Sequence, residues 1–268
     1  MPTAHPANSF RSTAGPRLAW LLAGLMAWSV AGSAHAQAAP TAWLTRLTSA
    51  GPVPEPWHFT TLPHKKSTSF GVVRQDGQSV LKVEADDSYG NLVHPVRVAL
   101  DGAASLAWRW RVERFVEGAD LRSRSGDDGA AKLCVFFALP TDRLPFGERT
   151  RLALARSATG EDVPSETLCY VWDEKEAKNT LLPNAFTRRI RMLVLETGAA
   201  GWRSERRNLL ADYRRAFGDE SGGLQPDIVG VAVSADSDNT RGHGLSFFGD
   251  LELQGAAAAP QLQATHAP

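Results

Sequence analysis

One acidic block near the end of the chain has the composition of a cation site. Asp236, Asp238 and Asn239 fall within four residues, and Asp250 follows in the next strand-like run. Carboxylate and amide oxygens are ligands that Ca²⁺ prefers in proteins. The spacing lacks the glycine and the distal bidentate glutamate of an EF-hand loop. The block therefore predicts either a structural Ca²⁺ site or a turn in which Asp and Asn side chains bind their own backbone.

Two adjacent carboxylates, Asp127 and Asp128, lie in a loop between Gly126 and Gly129. Neighbouring carboxyl groups could bind a ligand or raise each other's pKa for acid–base chemistry. Neighbours on an extended chain point to opposite faces, so we expect one to face a site and the other a structural donor. The alternative is a solvated loop with no binding role.

Four more polar or aromatic residues are candidates for ligand contacts. The apolar spacing predicts a helix over Trp202–Phe217, and a separation of four places Asn208 near Asp212 on that helix, with Arg206 beside them. Trp172 ends a predicted strand next to a polar loop, where its ring could stack on a sugar. The alternatives are a solvated helix face and a core tryptophan.

Motifs that identify common enzymes are absent from the sequence. There is no G-x-S-x-G elbow, no H-E-x-x-H, no phosphate-binding loop and no C-x-x-C. An enzyme would therefore have to use carboxylates, drawn from Asp127, Asp128, Glu196 and Asp212. Glycoside hydrolysis needs two such groups about 5 to 9.5 Å apart across a cleft.

The elements that must position these residues are mostly strands. In Ser105–Val112, Leu106, Trp108 and Trp110 alternate with polar or small residues, which indicates a strand with one buried face. Asp76-Gly77 between two β-like runs is typical of a hairpin turn. We predict an all-β fold, a two-sheet antiparallel β-sandwich of jelly-roll type with one or two short helices. A short helix over Trp43–Leu47 and another over Arg149–Arg156 are the further helical candidates.

The N-terminus has the layout of a secretory signal peptide. Arg11 and Arg17 precede an apolar run, Leu18–Val30, and Ala34-His35-Ala36 is a cleavage signal. We predict a signal peptide over 1–36, a lead-in over 37–56, a sandwich domain over 57–254 and a disordered tail over 255–268. The mature chain would be periplasmic or secreted and would contain no transmembrane span. The alternative is an uncleaved anchor.

Charge and cysteine content narrow the partners and the redox state. The chain has 29 basic and 29 acidic residues, so nothing points to nucleic acid. Cys134 and Cys169 are the two cysteines of the chain, and each lies in a strand-like run. In an oxidising compartment they could form a disulfide, and otherwise they would be two buried thiols.

Several sequence blocks, taken together and in order, resemble the DUF3047 family of exported bacterial proteins of unknown function. The resemblance covers about Trp57 to Leu253. Because the activity of the family is not established, the resemblance supplies no catalytic residues that could be assigned to this chain. The blocks are Trp108-Arg109-Trp110 with Val112, Gly126 to Ala131, Tyr170-Val171-Trp172, Trp202 with Glu205 to Asn208, Asp212-Tyr213 with Phe217-Gly218, Asp236 to Thr240, and Phe248 to Leu251.

The functional expectation follows from the fold class and not from a motif. Many jelly rolls bind sugars, so we predict a non-catalytic binding or accessory domain for glycans or another cell-envelope component. The alternatives are a carboxylate-dependent glycan-active enzyme and a structural component of the envelope.

Overall fold

A computed structural model of the chain shows a β-sandwich. It describes residues 41–42, 51–140, 146–147, 149–150, 153, 164–199, 201–220 and 223–255. The predicted signal peptide, the helix over Trp43–Leu47, most of the Arg149–Arg156 segment and the tail after residue 255 lie outside these residues. No helix within them has both the length and the apolar character needed to cross a membrane.

The first sheet of the described chain has six strands in the order β11-β6-β13-β4-β3, with β1 paired to the far end of β13. Each of its strand pairs is antiparallel. Its strands are β1 (Thr41–Ala42), β3 (Ser69–Gln75), β4 (Gln78–Asp86), β6 (Ser105–Arg114), β11 (Arg203–Asn208) and β13 (His243–Gln254).

The second sheet of the described chain has seven strands in the order β2-β5-β12-β7-β8-β10-β9. Its pairs are antiparallel except that of β8 with β10, a local departure from the antiparallel prediction. Its strands are β2 (His58–Thr60), β5 (Tyr89–Ala99), β7 (Gly129–Ala138), β8 (Glu166–Asp173), β9 (Leu181–Pro183), β10 (Ile190–Thr197) and β12 (Asp227–Asp236).

The main core lies between the two sheets and follows from the period-two pattern of the strands. On β6, Trp108 and Trp110 point inward, and their rings meet edge to face at 5.5 Å. Tyr170 packs on Trp108 and Trp172 on Trp110 from the opposite sheet. This confirms the all-β, two-sheet, jelly-roll-like fold that the alternation predicted.

The predicted helix over Trp202–Phe217 is correct only in its second half. Helix α1 spans Leu209–Phe217, whereas Arg203–Asn208 forms the edge strand β11. The backbone of these polar residues pairs with β6, which overrides the helical spacing of the apolar residues that follow. Asn208 ends the strand and caps the helix, since its Oδ1 accepts a hydrogen bond from the Ala211 N–H at 2.8 Å.

A second apolar cluster lies on the outer face of the seven-stranded sheet, the face turned away from the other sheet. Cys134 on β7 and Cys169 on β8 are paired residues of adjacent strands, and they form a disulfide within this cluster. Leu121 comes from the loop between β6 and β7 and packs on the same cluster with 2% of its surface exposed. That loop therefore lies against the outer face and brings its polar residues there.

Candidate functional site

The loop of residues 115–128 places Asp127 and Asp128 through a tight local turn. The Asp120 N–H donates to the Gly126 carbonyl at 2.6 Å, and the Asp128 N–H donates to the same carbonyl at 2.7 Å. A Cβ atom at Gly126 would lie 2.9 Å from the Asp120 nitrogen, so the turn requires glycine at this position. The two carboxylates that leave this turn go to different partners.

Asp128 fastens the Asp236–Thr240 block to the loop. It is completely buried, and its Oδ1 accepts hydrogen bonds from the backbone N–H and the Nδ2 of Asn239. Its Oδ2 accepts from the Thr240 N–H at 2.7 Å. Asp128 is thus the one of the two neighbouring carboxylates that binds structural donors, as expected for one member of the pair.

Asp127 is the other neighbour, and one of its oxygens has no partner in the described chain. The side chain is 6% exposed, and Oδ2 accepts from the Asn184 Nδ2 at 2.5 Å. Oδ1 is buried and makes no hydrogen bond to any described residue. A buried carboxylate oxygen left unpaired costs about 1–3 kcal/mol or more. A donor that reached this oxygen would remove that cost.

An exposed aromatic residue lies two positions after the asparagine that binds this carboxylate. The Phe186 N–H donates to the Asn184 Oδ1 at 3.0 Å, so the amide that holds Asp127 also fixes the turn that carries Phe186. The Phe186 side chain is 55% exposed. The Arg124 guanidinium lies 5.4 Å from its ring centroid, and the Arg124 Nε donates to the Ala185 carbonyl. We call Arg124, Asp127, Asn184 and Phe186 the polar site.

A buried ion pair lies behind the polar site. The Lys132 ammonium, on the outer face of β7, contacts both carboxylate oxygens of Asp236 at 2.8 and 2.9 Å. The Gly129 N–H also donates to Asp236. Burial alone would lower the pKa of Lys132, but the charges of Asp236 and Asp127 outweigh it and raise that pKa. Lys132 therefore stays protonated, and Asp127 lies close enough for its charge to help raise the pKa of Lys132.

The residues predicted to hold Ca²⁺ have separate protein partners in the structure. Asp236 binds Lys132, the Asp238 carboxylate forms an ion pair with Lys65, and the Asn239 amide nitrogen donates to Asp128. Within the described residues, no group of three or more His, Cys, Asp or Glu side chains is arranged to hold a metal ion. Ca²⁺ binding at this block, with or without Asp250, stays a prediction.

The remaining predicted ligand residues do not join the polar site. Trp172 is 2% exposed and donates from Nε1 to the Gly198 carbonyl, so its ring packs in the core and offers no face for stacking. This corrects the prediction that the Trp172 ring stacks on a sugar. Trp172 lies two residues after the inward-facing Tyr170, and residues two apart on a strand share a face, so Trp172 also points inward. Asn208 caps α1, and Arg206 is exposed on β11.

The carboxylates proposed for an enzyme each have their own partners as well. Asp212 is buried, accepts from the Tyr170 hydroxyl at 2.8 Å and binds Arg207 through both of its oxygens. Glu196 pairs with Lys178 at 2.5 Å. Asp128 is saturated by the three donors described above. These contacts hold helix, strand and turn against the sandwich. Among the four described carboxylates proposed for an enzyme, the oxygen without a partner is Oδ1 of Asp127.

Sequence reasoning found Asp127 but missed Arg124, Asn184, Phe186 and Lys132. The sequence held one local signal for Phe186. It is a single aromatic residue in a polar segment, and an exposed aromatic side chain in such a segment is a candidate for binding. Lys132 interrupts an apolar strand, and a buried lysine needs a carboxylate partner. The contact of Asn184 with Asp127 joins positions 57 residues apart and has no local signature.

The order of blocks along the chain is that of a known family. The family model described as a protein of unknown function, DUF3047, matches residues 55–252. The chain belongs to this family. The match includes every residue of the polar site and the Lys132–Asp236 pair, so the site lies wholly within the DUF3047 domain. No curated protein matches the chain.

Three solved structures are distantly similar to this DUF3047 protein. The family 11 carbohydrate-binding module of a cellulosomal cellulase of Clostridium thermocellum has 7% identity and a TM-score of 0.36, over 79% of this chain and 98% of that one. Endoglucanase 3 of Trichoderma harzianum has 9% identity and a TM-score of 0.36, over 75% and 100%. A cellulase derived from Cel12A of Rhodothermus marinus has 10% identity and a TM-score of 0.38, over 77% and 99%. Likeness at this level carries no argument about ligands.

Proposed function

We propose that this DUF3047 protein is an exported, non-catalytic domain that binds a glycan at the polar site. The observation that carries the proposal is the pairing of an exposed aromatic ring, Phe186, with a buried carboxylate oxygen of Asp127 that has no hydrogen-bond partner in the described chain. One amide, that of Asn184, hydrogen-bonds both to the Asp127 carboxylate and to the backbone of Phe186.

A pyranose sugar has the two kinds of surface that this arrangement would contact. Its C–H face is apolar and packs on an aromatic ring, while its rim carries hydroxyl donors. A hydroxyl that reaches the Asp127 Oδ1 relieves an unsatisfied buried acceptor and forms a charge-assisted hydrogen bond. Small-molecule sites commonly combine one apolar surface with a few fixed polar groups. Asn184 holds both the Asp127 carboxylate and the backbone turn of Phe186, and this restraint lowers the ordering cost of binding.

Binding should depend on Phe186. Calorimetric titration of residues 37–268 with cello-, chito- and xylo-oligosaccharides is expected to detect at least one ligand, and Phe186→Ala should weaken its binding by at least about tenfold, or 1.4 kcal/mol. Phe59→Ala is the matched control, since Phe59 is 40% exposed on β2, at the opposite edge of the same sheet. Full binding by Phe186→Ala, or no binding of any glycan by the wild type, would contradict the proposal.

Export is the second part of the proposal, and it rests on the N-terminal sequence. An apolar run followed by Ala34-His35-Ala36 directs cleavage after Ala36. We expect protein expressed with its full N-terminus to be recovered from a periplasmic extract beginning at Gln37. N-terminal sequencing checks this, and recovery of the chain from the cytoplasm with residues 1–36 still attached would show that export does not occur.

A further inference from the structure

Within the described part of the chain, the buried charges around the polar site do not balance. Three carboxylates, those of Asp127, Asp128 and Asp236, are each at most 6% exposed, and the buried ammonium that faces them is Lys132 at 7%. Lys132 bonds directly to Asp236, and neutral N–H donors hold Asp128. Nearby cations on the surface have other contacts, since Lys65 pairs with Asp238 and Arg124 stacks on Phe186. Among the residues that the structure describes, no cation is bonded to the carboxylate of Asp127.

The pKa of Asp236 is raised first by its burial, and the neighbouring carboxylates are a smaller cause. Burial raises its pKa to about 6 even though Lys132 opposes the shift, and the carboxylates of Asp128 and Asp127 add to the rise. A group that reaches the Asp127 Oδ1 therefore enters a negative potential at low effective dielectric. A negatively charged group is excluded there, a hydroxyl is accepted, and a cation is favoured over both.

We infer that the polar site selects a sugar that carries a free, protonated amine, with the ammonium on the Asp127 Oδ1 and the sugar ring on Phe186. This inference rests on the proposed glycan binding and narrows its ligand class to amino sugars without an acyl group on nitrogen. A hydroxyl and an ammonium can both donate to the carboxylate, but the ammonium also brings a positive charge opposite the negative one. Acylation removes both that charge and two of the donors.

Three oligosaccharides that differ only at carbon 2 of each sugar isolate the effect of the amine. Cello-oligosaccharides carry a hydroxyl there, chito-oligosaccharides an acetamide, and fully deacetylated chitosan oligosaccharides an ammonium. Titrated at pH 6 and 0.15 M salt, the ammonium form is expected to bind the wild type about tenfold more tightly than either neutral form. Asp127→Asn keeps the shape of the side chain and should reduce this preference below about threefold. Asp76→Asn, in the exposed hairpin turn, is the control and should leave it unchanged.

The outcomes separate this inference from the proposed function. Equal binding of the three sugars, still dependent on Phe186, would overturn the amine preference and leave glycan binding intact. A preference that persists in Asp127→Asn and disappears at 0.5 M salt would also overturn it, because exposed charges are screened and buried ones much less so. No binding of any sugar would overturn both. If Asp127→Asn does not fold, the wild-type comparison of ammonium with acetamide decides the question.

Discussion

Replacing Asp236 by alanine is expected to lower the free energy of unfolding by about 3 to 5 kcal/mol, the usual cost of removing one partner from a buried ion pair. Lys132, at 7% exposure, would lose both of its contacts with Asp236. The Gly129 N–H would lose its acceptor as well. Urea unfolding followed by circular dichroism measures the difference as a shift of the midpoint at constant slope.

Two further variants test whether the cost comes from an isolated charge. Lys132→Met combined with Asp236→Leu removes both charges and keeps most of the volume, so it should recover most of the lost stability. Asp86→Ala breaks the exposed ion pair with Lys66 and should change stability little. If Asp236→Ala unfolds at the wild-type urea concentration, the pair contributes nothing to the fold.

The parts of the fold that were predictable from sequence are those that local alternation encodes. Trp108 and Trp110 share a face with Leu106, and a period of two with one apolar face is sufficient to assign a half-buried strand. The same rule, applied to Leu168, Tyr170 and Trp172, would have placed Trp172 in the core. The prediction that Trp172 stacks on a sugar rested on the polar loop that follows this residue, and the period-two pattern points the other way.

Strand β11 was not predictable, because its residues carry no apolar pattern. Arg203–Asn208 is polar throughout and is a strand because its backbone pairs with β6. Tertiary pairing of this kind decides edge strands more than propensity does. The helix that follows was predictable from Leu209, Leu210, Tyr213 and Phe217, but its start at Leu209 depends on where the strand pairing ends.

The candidate site was predictable only in part, because its members meet across long sequence separations. Asp127 and Asp128 were identified from composition, and the expectation that neighbours have different partners agrees with the structure. The partners themselves, Asn184 and Thr240, are 57 and 112 residues away. The acidic block that begins with the last residue of β12 looked like a cation site, because its partners Lys132 and Lys65 lie about 100 and 170 positions earlier in the chain.

The disulfide was left open by the sequence, and its presence carries the second large expected effect. Cys134 and Cys169 are 35 residues apart, and closing a loop of that length restricts the unfolded chain enough to stabilise the fold by about 4 kcal/mol. The oxidised protein should offer no thiol to a labelling reagent when denatured without reductant. Reduction of the disulfide should remove this stabilisation and lower the urea concentration at the unfolding midpoint in proportion.

Comparison with a double variant separates the cross-link from side-chain packing. Both sulfurs lie in the outer-face cluster with Met192 and Val194, so the reduced wild type keeps the sulfur volume and loses only the link. Cys134→Ala combined with Cys169→Ala loses the volume too, and should be less stable than the reduced wild type by a further cavity cost of about 1 to 2 kcal/mol. Equal midpoints for oxidised and reduced wild type would mean that the link does not stabilise the fold. Because the link joins the two strands beneath Leu121, its loss should also loosen the loop that carries Asp127, and glycan affinity should fall on reduction before the sandwich unfolds.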